Sequence, residues 1–198
     1  VSAGRNLVVA TGTGSGKTES FLLPILDALL RETDDGGIGQ PGIRALLLYP
    51  MNALVNDQLL RLRALLAPFP AVTFGRYVGD TEHTYDKAHA QHLLRFKSEP
   101  QANELICRDQ MKATPPHILV TNFAMLEYLL LRPEDQAFFD RPTGSRWRFV
   151  VLDEVHVYDG AKGAEIGMLL RRVRDRVQQG GSGSLTHIGT SATLGKGA

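Results

Sequence analysis

A single cysteine, Cys107, is present in 198 residues, which excludes an intramolecular disulfide and fits a reducing compartment, expected to be the cytoplasm. Charge of one sign is also missing: 22 Lys and Arg stand against 21 Asp and Glu, for a net charge of +1. No basic excess therefore advertises a polyanionic partner, and any nucleic-acid role has to come from motifs. Long apolar runs are absent too. Stretches such as 45–48 and 129–131 fall far short of the roughly 20 residues a membrane span needs, so no membrane partner is expected. There are no internal repeats. The chain opens at Val1 without an initiator methionine and stops at Ala198, as expected of a piece of a longer protein.

What is present is enough for one core. With 43% hydrophobic and 22% charged residues, the length suits a single domain over 1–198. Short apolar runs alternate with helical periods, the pattern of β-α units feeding a parallel sheet. Strands are expected at 7–10, 43–49, 72–78, 117–121, 148–152 and 185–190. Helices are expected at 17–32, kinked at Pro24, then along the stripe Val55, Leu59, Leu62 and Leu66, at 123–131, and along Ile166, Leu169, Leu170, Val173 and Val177. The loop 33–42 is closed to regular structure by its glycines and proline. The polar stretch 80–116 is helical near 85–96 and otherwise undetermined by pattern.

The junction ATGTGSGKTES, residues 10–20, carries the clearest chemistry. A strand entering a glycine-rich turn and then a helix aims several backbone N–H groups at one point, and the helix dipole adds positive potential there. Such a point suits a phosphate. Gly12, Gly14 and Gly16 let the backbone curl closely, Lys17 supplies a charge to β- and γ-phosphates, and the Thr18 hydroxyl is placed to ligate Mg²⁺. The pattern G-x-x-x-x-G-K-[ST] is matched in its second half only, because Thr11 stands where its first glycine belongs. The expected nucleotide contacts are Thr13, Gly14, Ser15, Gly16, Lys17, Thr18 and Glu19.

A second site lies in FVVLDEVH, residues 149–156, an apolar strand ending in two carboxylates. Ligands of open α/β sheets collect beyond the carboxyl ends of strands, so both motifs converge on one edge. Asp153 is the expected holder of Mg²⁺. Glu154 is placed to orient or deprotonate an attacking water.

Together TGTGSGKTE, DEVH and TSATL resemble motifs I, II and III of superfamily 2 helicases and translocases of the DEAD/DEAH type, in the right order and over nearly the whole chain. YPMNALVNDQ resembles motif Ia, and ILVTNFAMLEYLLLRP resembles the segment after motif Ib. The stretch around LDEVHVYDGAKGAEIGMLLRRVRDR resembles the MrfA- and YprA-like DNA helicases, which are RecQ-related. Met51 and Asn52 stand where the pattern after the motif Ia proline has Thr-Arg, which removes an arginine contact to phosphate.

The resemblance implies a RecA-like P-loop NTPase domain, an α/β fold with a mainly parallel sheet and helices on both faces. It implies ATP and Mg²⁺ as cofactors, with Lys17, Asp153 and Glu154 catalytic and Thr18 and Asp153 on the metal. The implied partners are nucleic acid, read as DNA, and a second RecA-like domain of the same parent chain. The loops after three strands carry the implied nucleic-acid contacts: Pro50, Asn52 and Ala53; Gly79 and Asp80; Thr121 and Asn122. Gripping phosphates without reading bases suits a motor that must move along any sequence. Thr121 or Asn122 also suits the cap of the following helix, and the two roles are compatible. His156, Ser191 and Thr193 are implied coupling residues, their hydroxyls bonding His156 and the acidic pair.

Other features have plainer readings. His83, His89 and His92, with Cys107 beyond, fit no zinc spacing and read as a solvated helix. Arg171, Arg172, Arg174 and Arg176 read as a solvated face, or as a docking face for another domain. The functional reading is a motor domain coupling ATP hydrolysis to movement on nucleic acid. A catalytically inert RecA-like binding module and a restriction-type translocase motor remain its alternatives. Because an arginine from a second domain is implied in hydrolysis, weak nucleotide binding and negligible turnover are expected of these 198 residues alone.

Overall fold

A computed structural model describes residues 5–12 and 16–192 of the chain. Its strands are β1 (Leu7–Ala10), β2 (Ala45–Tyr49), β3 (Phe74–Arg76), β4 (Glu104–Leu105), β5 (Ile118–Asn122), β6 (Phe149–Leu152) and β7 (Thr186–Ser191). They pair parallel throughout, in the order β1-β7-β6-β2-β5-β3-β4. Parallel neighbours cannot be joined by tight turns, and the crossovers here are mostly helical: α1 (Lys17–Asp34) leads from β1 to β2, α2 (Asn52–Leu66) from β2 to β3, and α6 (Gly160–Gln179) from β6 to β7. Between β3 and β5 the chain forms α3 (Tyr85–Phe96), β4 and α4 (Arg108–Ala113), and α5 (Phe123–Leu131) follows β5.

Both faces of the sheet are covered, which is why its strands read as continuous apolar runs. Side chains alternate between two cores. Ala45, Leu47 and Tyr49 of β2 pack with Phe21, Ile25 and Leu29 of α1 and with Val55, Leu59 and Leu62 of α2. Leu46 and Leu48 pack instead with Leu126 and Leu129 of α5 and with Ile166, Leu169 and Val173 of α6. The α/β architecture expected from the alternating pattern is thus found, with helices on both faces. Among the described residues no helix is long and apolar enough to cross a membrane.

The differences from pattern reading are local. Helix α1 runs unbroken past Pro24 to Asp34, and β2 and β3 are shorter than the apolar runs that contain them. The stretch 80–116 holds two helices and the two-residue edge strand β4. Helix α3 is not wholly solvated. His92 is buried, its Nε2 2.7 Å from Arg63 Nη1, beside a close ion pair between Arg63 and Glu104. His89, by contrast, meets Glu99 near the surface at 2.7 Å. The arginines of α6 do lie on its outer face, where Arg174 contacts Asp175 and Arg176 contacts Asp140.

Candidate functional site

Gly16 precedes α1 with φ +79°, a left-handed conformation that a side chain would strain. That turn starts the helix at Lys17 and puts Lys17, Thr18 and Glu19 in its first turn. The Lys17 ammonium donates to the Thr11 carbonyl at 3.2 Å and lies 3.9 Å from Glu154 Oε1. Two motifs 137 residues apart in sequence therefore meet at the carboxyl ends of the strands. Thr13, Gly14 and Ser15 lie outside the described residues.

Asp153 continues β6 by one residue, its N–H donating to the Leu48 carbonyl at 3.0 Å. Its side chain is buried. It follows Phe149 and Val151 in the alternation that faces α1 and α2. Burial pushes the Asp153 carboxyl above its usual range and the neighbouring Glu154 charge adds to this, while the Thr190 hydroxyl and Lys17 pull the other way. Glu154 turns the chain out of the sheet with φ +54°, a strained conformation for a residue other than glycine and one that clusters at functional sites. One of its carboxylate oxygens faces Lys17. The other lies 3.1 Å from His156 Nδ1.

Motif III needs a correction. The hydroxyls of Ser191 and Thr193 are expected on His156 and the acids; for Ser191 the structure differs, since it is Thr190 that donates a short hydrogen bond to Asp153 Oδ1 and accepts from the Glu154 N–H at 3.3 Å. The cause is register. Leu152 pairs with Gly189, so the next step along sets Asp153 against Thr190, and alternation turns Ser191 toward the opposite face. Ser191 instead pairs with Ala10 and accepts the Thr11 N–H at 3.2 Å through its carbonyl. Thr193 lies outside the described residues.

A cavity of about 370 Å³ is lined by Gly16, Lys17, Thr18, Glu19, Asp153 and Glu154, and also by Leu54, Gln58 and Arg61 of α2. The contribution of α2 escaped the sequence reading. Its signal was Gln58, a polar residue on a stripe of Val55, Leu59 and Leu62 where an apolar one is the rule. The oxygen donors fit Mg²⁺, which takes one or two carboxylates, a hydroxyl and phosphate oxygens and keeps several waters. Lys17 and the first turn of α1 supply positive potential for the phosphates. Among the described residues no cluster of three or more His, Cys, Asp or Glu is arranged to hold a metal by itself.

The expected nucleic-acid residues form a neighbouring rim. Asn122 Nδ2 donates to Asn52 Oδ1 at 2.6 Å, joining the loops after β2 and β5 across 70 positions, while Asn122 Oδ1 caps α5 by accepting the Met125 N–H at 2.8 Å. Pro50 is half-buried and Ala53 exposed beside Asn52. Thr121 is a second correction: it is fully buried and its hydroxyl donates to the Tyr77 carbonyl at 2.6 Å, because alternation puts it with Leu119 on the sheet face covered by α5 and α6. Gly79 and Asp80 are exposed. The Gly79 carbonyl accepts from Arg108 at 3.0 Å. Asp80 meets Arg76 at 2.5 Å and Arg95 at 3.0 Å; partial burial raises its carboxyl, but these two cations outweigh that and hold it below the usual carboxylate range.

Comparison with known proteins agrees with this arrangement. Residues 1–198 match the DEAD/DEAH box helicase family. Druantia protein DruE of Escherichia coli (strain UMEA 4076-1) is 33% identical in an alignment covering 87% of this chain and 14% of that protein. The ATP-dependent helicase Lhr-Core of Methanothermobacter thermautotrophicus is 29% identical, over 98% of this chain and 20% of its own length. The crystal structure of the helicase MrfA bound to DNA and AMPPNP superposes with a TM-score of 0.72 at 25% identity, over 98% of this chain and 23% of that one. The chain thus spans between about a seventh and a quarter of the length of these relatives. Its parallel sheet with helices on both faces is that of a RecA-like helicase domain. The chain belongs to the DEAD/DEAH box helicase family.

Proposed function

We propose that this chain is the ATP-binding motor domain of a superfamily 2 DNA helicase or translocase, working with a second RecA-like domain in a longer parent protein. The observation that carries the reading is the meeting of Lys17 and Glu154, 3.9 Å apart, on a cavity that Thr18 and Asp153 share. DNA is chosen as the track because MrfA, the relative compared above, was crystallised on DNA. The rim around Asn52 and Asn122 supports the same reading, since small amides and backbone groups grip a sugar-phosphate strand regardless of sequence.

In this reading Lys17 and the N–H groups at the start of α1 bind and orient the triphosphate. Thr18 and Asp153 would hold Mg²⁺, which when bound would neutralise charge on the phosphates. Glu154, fixed by its left-handed backbone, accepts the proton of the attacking water. His156 and Lys17 contact its two oxygens and steer it. The Glu154→Gln variant of the parent protein should retain ATP and fail to hydrolyse it, read as stable nucleotide occupancy with phosphate release reduced by at least about 100-fold. Normal turnover would remove Glu154 as the base.

A further inference from the structure

Gln58 is more than nine-tenths buried, yet its Oε1 has no hydrogen-bond partner among the described residues. An amide oxygen left unpaired in a protein interior is destabilising, and native folds keep few of them. The residue lines the cavity that holds Lys17, Thr18 and Asp153. A second polar group is left open at the same end of the sheet. Tyr49 ends β2, one step beyond the Leu48–Leu152 pair, and so stands opposite Asp153. Its ring belongs to the core under α1 and α2, and its fully buried hydroxyl is also without a partner among the described residues. Burial and the nearby Asp153 charge push that hydroxyl's pKa well up, with Arg61 opposing, so it remains a neutral phenol able both to donate and to accept.

The chemistry of these openings is specific. Phosphates need donors, and Lys17 with the first turn of α1 provides them. A water bound to a divalent cation has its lone pair committed to the metal and presents only protons outward, so it needs acceptors. Mg²⁺ in particular keeps several waters when held by phosphates and few protein groups. Next to Asp153, two buried acceptors of the cavity lining are without a hydrogen-bond partner among the described residues, Glu154 Oε2 and the Gln58 amide oxygen; the first faces His156 at 3.1 Å, which leaves Gln58 as the neutral acceptor supplied by α2. We infer that Gln58 is a positioning residue of the nucleotide site, accepting a hydrogen bond from a water of the nucleotide-bound divalent cation, with the Tyr49 hydroxyl extending that outer shell behind Asp153. The inference rests on the proposed ATP-binding function and adds helix α2 to the metal's surroundings.

The test is binding rather than turnover. Affinity of the parent protein for fluorescent AMPPNP is measured in EDTA and then across a Mg²⁺ titration. In Gln58→Leu, which keeps side-chain bulk and removes the acceptor, affinity in EDTA should match the wild type. Its Mg²⁺ midpoint should rise about 10-fold, as expected for loss of an outer-shell partner. Gln58→Glu, which retains an acceptor, should keep the midpoint at or below the wild-type value. Tyr49→Phe should raise it in the same direction by a smaller factor. A wild-type midpoint in Gln58→Leu overturns the inference, and so does an equal loss of affinity with and without metal, since that is the signature of altered cavity shape. Failure of the wild-type protein to bind nucleotide under either condition instead sinks the function on which the inference rests.

Discussion

Thr190 shows how a single side chain ties the chemistry of the site to the sheet. Its hydroxyl holds Asp153 Oδ1 and takes the Glu154 N–H, so it fixes both acids at the point where the strand gives way to a strained turn. A buried carboxylate already disfavoured by its surroundings depends on such partners to stay in place. Thr190→Val in the parent protein should lower ATPase turnover about 10-fold, the usual cost of removing a group that orients a metal ligand. Thr190→Ser should restore most of it, because the hydroxyl and not the methyl is what Asp153 uses; steady-state phosphate release checks both. Equal losses in the two variants would mean that packing, not the hydrogen bond, is at work. That Lys17, Thr18, Asp153 and Glu154 share one cavity was legible in the sequence, because each belongs to a motif defined by residue type at its own position. Thr190 was not, since its role depends on which residue of β7 stands beside β6, and register is set by distant pairings.

At the scale of elements, the same division separates what pattern reveals from what it hides. The strands that make up the middle of the sheet and the helices against them announce themselves through apolar periodicity. The loop between α1 and β2 does not. There the fully buried Arg44 donates to Glu32 at 2.5 Å and to the carbonyls of Gln40 and Gly42 at 2.7 Å each, with a longer bond to that of Gly37. A glycine-rich segment that sequence marks only as irregular is thereby pinned to the base of the sheet, far from the nucleotide edge. Arg44→Met should destabilise the protein by about 3–5 kcal/mol, because it leaves several carbonyls without their donor and Glu32 with only the longer contact to Arg148 at 3.8 Å. A chemical denaturation midpoint close to the wild-type value would show that the loop finds other donors. The stretch from α3 through α4 was illegible for a related reason. Its order rests on a buried Arg63, His92 and Glu104 cluster, and such clusters leave no periodic trace.

At the scale of the whole molecule, the cations that face the cavity bound what it can stabilise. Among the described residues that line it, these are Lys17 and Arg61, and Arg61 is paired with Glu19 at 3.4 Å. Phosphoryl transfer spreads charge over the departing oxygens, and in this chemistry an additional arginine contributes about three to five orders of magnitude in rate. On the proposed function, a domain whose Lys17 is already shared between Thr11 and Glu154 would bind and orient the nucleotide and draw the remaining stabilisation from a second domain. The 198-residue chain alone should therefore bind nucleotide weakly and hydrolyse it at a rate near the uncatalysed background, with single-stranded DNA giving no rescue. The parent protein should turn over at least about 10³-fold faster under the same conditions. Side-by-side phosphate-release assays of chain and parent decide the matter: brisk hydrolysis by the isolated chain would show that its own groups suffice, and would overturn the need for a second domain.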